Sequence, residues 1–145
     1  MAEFLSELPV EFLFQIDVST AEPPPAFIEG APHGSRMIVT ATDGTFDGPR
    51  LSGRVVPGPG AEWATVRADG SIHADVRLLL ETHDGVHILM TYNGIAREED
   101  GTLRVRTAPL FQTGHPDYAW LNQVQAVALG TPGGRGIVYD VYRVL

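Results

Sequence analysis

Cysteine is absent from the 145 residues, and so is lysine, which leaves ten arginines as the basic side chains. The first absence removes disulfides, thiolate metal ligands and a cysteine nucleophile together, and fits a reducing cytosol. The second, with a formal net charge of −8, argues against nucleic acid or an anionic membrane as partner, because no basic patch could dominate such a field. A GC-rich coding bias would produce the same preference for arginine over lysine. Long apolar runs are missing too. The stretch from Met1 to Glu7 is acidic rather than basic, so neither a signal peptide nor a transmembrane helix is expected, and the expected compartment is the cytoplasm. No serine sits in a nucleophile elbow and no dinucleotide fingerprint follows a strand. Gly130–Gly136 lacks the lysine and the following helix of a phosphate loop, and reads as a hairpin.

What is present is period-two alternation punctuated by turn residues. Val10, Phe12, Phe14, Ile16 and Val18 share one face of a first strand. Residues 19–35 hold Pro23, Pro24, Pro25 and Pro32 and predict a long loop. Strands follow at Met37–Thr42, Leu51–Pro57, Glu62–Arg67, Ser71–Thr82, Val86–Asn93, Leu103–Ala108, Leu121–Leu129 and Ile137–Val144, with turns at Asp43–Gly44, Ala68–Gly70, Asp84–Gly85 and Glu98–Gly101. About nine strands with little or no helix predict one all-β domain over residues 1–145, an antiparallel β-barrel whose closure removes exposed edges. Gly48, Pro49 and Gly53 supply the bends that closure needs. Leu13 and Leu79 fall on the wrong face of their strands, which predicts a homo-oligomer.

Gly44-x-Phe46-x-Gly48-Pro49-x-Leu51-x-Gly53, then Glu62-Trp63, Asp69-Gly70, Asp75-x-Arg77, Asp84-Gly85, Thr107-x-Pro109, Phe111, Tyr118-x-Trp120-Leu121-Asn122 and the final Val-Tyr-x-Val-Tyr region run through nearly the whole chain. In this order they resemble domain-of-unknown-function family 3237. The resemblance implies a small lipocalin-like barrel, often encoded near genes of small-molecule metabolism. The chain departs from the pattern at Glu62, where an aspartate before the tryptophan is more usual.

Candidate chemistry centres on the longest strand. Period two puts His73, Asp75, Arg77, Leu79 and Glu81 on one face and Ile72, Ala74, Val76, Leu78 and Leu80 on the other. Either face could line the lumen. The family resemblance includes Asp75 and Arg77 and favours the charged face inward. There Asp75 would act as general base and Arg77 would hold a developing oxyanion. Trp63, Tyr92 and Arg106 are expected as further walls of the site. A second group, Phe111, His115, Tyr118, Trp120 and Asn122, reads either as a lid over an apolar ligand or as a plug sealing one end. His83 and His87 flank a turn and lack the spacing of a metal pair, so no metal site and no cofactor is expected.

The expected function is a cofactor-independent enzyme moving a proton on an apolar aromatic or polyketide-like acid or ketone, as an isomerase, cyclase, hydratase or lyase. The alternative is a non-catalytic carrier of a small hydrophobic ligand.

Overall fold

The computed structural model describes residues 2–145. Eleven strands form one antiparallel sheet: β1 (Val10–Thr20), β2 (Ala26–Ile28), β3 (Ser35–Asp47), β4 (Ser52–Val55), β5 (Ala61–Val66), β6 (Ile72–Thr82), β7 (His87–Glu99), β8 (Thr102–Thr107), β9 (Leu110–Gln112), β10 (Ala126–Gly133) and β11 (Gly136–Val144). The sheet runs β6-β5-β3-β1-β11-β10-β8-β7, and β7 pairs back onto β6, so the ring closes on itself. Three short strands sit outside that ring: β2 on β3, β9 on β7, and β4 bridging β3 and β6. A ring of this size leaves an interior that side chains nearly fill, or that holds one small ligand. Among the described residues the one helical element, a 3₁₀ turn at Ala119–Gln123, lies within an irregular stretch. No described helix is long and apolar enough to cross a membrane.

The expected barrel is therefore observed, with three local corrections. Asp43–Gly44 is not a turn: β3 runs straight through it, with Gly44 at φ +146°. A Cβ on Gly44 would lie 1.9 Å from the Asp17 carbonyl oxygen of β1, so glycine there lets the two backbones meet closely just before the register slips between Ser19 and Thr20. The turn comes four residues later, where Gly48 N–H donates to the Leu51 carbonyl. Second, the apolar run from Leu121 does not start a strand. Leu121 is buried within the 3₁₀ turn, and β10 starts at Ala126.

The third correction concerns Leu13. The β1–β11 register shifts between Phe12 and Phe14, a bulge that buries both Leu13 and Phe14 and turns Phe12 outward against Tyr142. Leu13 is thus a core residue rather than an apolar side chain left outside the barrel. Leu79 lies half-buried on the outer wall, opposite Leu89.

Hydrophobicity decides which face of β6 turns inward. Ala74, Val76, Leu78 and Leu80 are buried, while Asp75 and Arg77 are exposed. Burying an aliphatic side chain of that size stabilises by about 1.5–3 kcal/mol, whereas each ion taken from water costs several kcal/mol before any pairing. At the lower end of the lumen Phe14 packs against Phe46 and Phe111, at centroid distances of 5.4 and 5.9 Å. Tyr118, Leu121 and Val124 are buried in the same cluster and stopper that end.

Candidate functional site

Because opposite residues of an antiparallel pair point to the same face, strand register fixes what the lumen contains. Glu62 of β5 stands between Val39 of β3 and Val76 of β6, and Val76 stands opposite Tyr92 of β7. This row carries one carboxyl and one phenol into an apolar interior. Tyr139 of β11 enters from the far wall, between Ile16 and Gly130. The Tyr92 and Tyr139 rings meet edge to face, their centroids 5.3 Å apart.

Together Glu62, Tyr92 and Tyr139 line an inner chamber of about 40 Å³, walled otherwise by side chains such as Val18, Val39, Val76, Leu78 and Ile137. That is room for a few water-sized groups. Above it lies an open depression of about 810 Å³ that shares Thr20, Val39, Glu62 and Ile137 with the chamber and adds Pro24, Met37, Leu103, Pro132 and Arg135. Glu62 therefore sits where the two compartments join.

The electrostatics follow from the apolar walls. Burial raises the pKa of the Glu62 carboxyl above its usual value of 4.5, and no cation opposes the rise. Burial likewise raises Tyr92 well above 10.0, with Tyr139 and the Glu62 charge adding to it. Tyr139 is pushed up to about 12, chiefly by burial. Both phenols stay neutral donors across the physiological range, beside a carboxyl that burial makes less willing than usual to ionise.

Tyr139 owes its position to a missing side chain. A Cβ on Gly130 would lie 2.6 and 2.7 Å from two Tyr139 ring carbons, so the ring rests on bare backbone of β10.

Of the residues expected from sequence, Tyr92 alone lies in this chamber. Asp75 and Arg77 stand on the outer wall, and their expected place in the lumen is corrected. Trp63, on the outer face of β5, is 50% exposed. Arg106 is exposed as well, its guanidinium donating to the Val105 carbonyl. Both are outward for one reason: their strand neighbours Glu62, Ala64, Val105 and Thr107 hold the inward positions.

The other five cluster at the stoppered end. Phe111 is core. Tyr118 is buried and donates from Oη to Asp84 Oδ1 at 2.7 Å. Trp120 carries the Arg50 guanidinium 3.6 Å above its ring. Asn122 clamps Thr113, accepting from its N–H at 2.8 Å and donating to its carbonyl at 2.9 Å. His115 is exposed and accepts from the Asp117 N–H. Phe111 and Tyr118 are buried and help close this end, while Phe111 and Asn122 also line an open depression of about 550 Å³ there. His87 lies 3.2 Å from Glu81, and among the described residues no three His, Asp or Glu side chains are grouped to hold a metal ion.

From sequence, Glu62 stands out only as a departure from the family pattern, and Tyr139 and Gly130 are not singled out as site residues. A signal for Glu62 was available, since it shares its face with Ala64 and Val66, opposite to that of Trp63. For Tyr139 the signal was Asp140 and Arg143, which mark the opposite face of β11 at one end and blur it at the other.

The chain is similar to several known proteins. A family model described as "Protein of unknown function (DUF3237)" matches residues 8–144. A UPF0311 protein of Rhodopseudomonas palustris is 31% identical over 126 residues, covering 77% of this chain and 82% of that protein. The hydroalkoxylation enzyme phnH of Penicillium herquei is 34% identical over 124 residues, 85% of this chain and 73% of that one. Among solved structures, a β-barrel-like protein of Acinetobacter baumannii superimposes with a TM-score of 0.89 at 28% identity, covering 99% of this chain and all of the other (100%). An enzyme from Penicillium herquei superimposes with a TM-score of 0.75 at 28% identity, covering 100% of both chains.

Proposed function

Starting from the chain's membership of the DUF3237 family, we propose that it is a cofactor-independent proton-transfer enzyme that adds a hydroxyl group across a carbon–carbon double bond, with Glu62 as its acid and base. The observation that carries this reading is a carboxyl held by burial above its usual pKa, at the neck of an otherwise apolar cavity, with two neutral phenols inside. A relative 34% identical is a hydroalkoxylation enzyme, and such an addition is redox-neutral. Other relatives carry only a family name.

The chemistry balances on Glu62 alone. The protonated carboxyl gives its proton to one alkene carbon; the substrate oxygen bonds to the other carbon and loses its own proton, which returns to the carboxylate. The negative charge that this proton transfer leaves is on the Glu62 carboxylate, and Tyr92 and Tyr139 are the neutral hydrogen-bond donors beside it that can stabilise that charge. The apolar walls keep bulk water from competing with the substrate hydroxyl. A pure carrier needs the cavity but has no use for a carboxyl desolvated at its neck.

The test is turnover of aromatic alkenols in deuterium oxide. Formation of a cyclic ether isomeric with the substrate, bearing one deuterium on carbon, is expected with the native chain. In Glu62→Gln the rate should fall by about 10²–10⁴-fold, the usual share of a positioned acid–base group. Unchanged turnover in that variant refutes the role of Glu62. A panel of alkenols bound but never converted selects the carrier.

A further inference from the structure

We propose that Arg135 is an anion anchor on the lip of the barrel, and that the site takes apolar acids whose ionised oxygen this guanidinium holds. The inference rests on the cavity being the ligand site. It is carried by the distribution of cations. Arg36 donates to the Trp63 and Ala64 carbonyls, Arg54 pairs with Glu81, and Arg67 bonds Ser71. Arg97 and Arg104 flank Glu99, Arg143 faces Glu11, Arg106 donates to a carbonyl and Arg50 stacks on Trp120. Among the described residues only Arg77 and Arg135 have no such partner. Arg77 stands on the outer wall, whereas Arg135 lines the open depression above Glu62.

The position of Arg135 is also fixed by its backbone. Gly133 pairs with Gly136 across a two-residue turn, with Gly134 at φ +55°. The Arg135 carbonyl accepts from the Thr20 N–H at 3.2 Å and from the Thr20 hydroxyl at 3.4 Å. This ties the backbone of the turn to β1 and sets the exposed Arg135 side chain at the hairpin tip.

The surroundings then select the ligand. Met37, Leu103 and Ile137 offer an apolar wall, and Glu22 shares the rim without lying within ion-pair distance of Arg135. In a chain of net charge −8, an unpaired guanidinium at the mouth is the local attractor for an anion, and the planar fork matches a carboxylate, phenolate or sulfonate. An acid held there directs its carbon skeleton inward, towards Glu62.

Two fluorescent probes with one aromatic body separate the anchor from the cavity: anilinonaphthalene sulfonate, which is anionic, and phenylnaphthylamine, which is neutral. Arg135→Ala should weaken the sulfonate at least about fivefold, the effect of losing one partly solvated charge-assisted contact, and leave the neutral probe within about twofold. Met37→Asp, or Leu103→Asp should the first variant not fold, should weaken both probes by charging the apolar wall. If Arg135→Ala moves both probes alike, or neither, the anion anchor is overturned while the cavity stands. If both wall variants leave both probes unmoved, the mouth is not the binding site, and the reading of the cavity falls with the anchor.

Discussion

Glu62 and Tyr92 face the lumen from either side of Val76, each directly opposite it in register, so their backbones stand two strand spacings, about 10 Å, apart. Val76 is the floor between an acid and a hydrogen-bond donor. A reacting group seated on it would be reached by both, and Tyr139, edge to face with Tyr92, closes the third side. This triangle is assembled from strands far apart in sequence, which is why alternation within any one of them does not disclose it.

The raised pKa of Glu62 makes a prediction about stability. A carboxyl whose folded pKa lies above its unfolded value favours folding while protonated, so its contribution is complete below pH 4.5 and is lost as the pH rises through the folded value. Glu62→Gln should therefore melt at nearly the native temperature in acid and above it at neutral pH. Melting curves taken across that window check the sign; a variant less stable than the native chain at neutral pH contradicts it.

Gly130→Ala should destabilise the fold, because the new methyl group meets the Tyr139 ring at 2.6–2.7 Å. Overpacking of this kind costs about 1–3 kcal/mol. Tyr139→Leu in the same background should recover most of the loss. Denaturation of the two single variants and the double variant measures the coupling, and additive effects would mean that the ring is not what the methyl group strikes.

At the stoppered end, the Thr82 hydroxyl and then the Tyr118 phenol hold the Asp84 carboxyl below 3.8 by hydrogen bonding. The sign is opposite to that of Glu62: this contribution is present above pH 3.8 and lost as the pH falls through the folded value. Tyr118→Phe removes one donor, so its acid unfolding midpoint should move to higher pH. Asp84→Asn should flatten the same branch of the curve.

Asp75→Asn and Arg77→Ala should leave turnover unchanged and shift stability by no more than about 0.5 kcal/mol, as exposed substitutions do. A large loss of activity in either would return the reaction to the outer wall of β6 and remove it from the cavity.

By itself the sequence determined the class of fold. The alternation of Phe14, Ile16 and Val18, the spacing of Gly70, Gly85, Gly101 and Gly134, and the absence of any sustained helical period demand an antiparallel sheet with tight turns. The order of motifs from Gly44 to Asn122 also placed the chain with its family. Period two divides a strand into two faces but does not say which faces in. For β6 the aliphatic face wins the interior over the charged one, and the neighbouring strands agree with it: Ala64, Met90 and Ala96 turn inward beside Val76 and Leu78, and Asp75 and Arg77 are carried into water. The same closure brought Glu62 beneath an apolar mouth, laid Tyr139 across Gly130, and set Tyr118 and Trp120 at the far end as a stopper. Those placements depend on register across the ring, and register belongs to the tertiary structure because each strand's burial is decided by its partners.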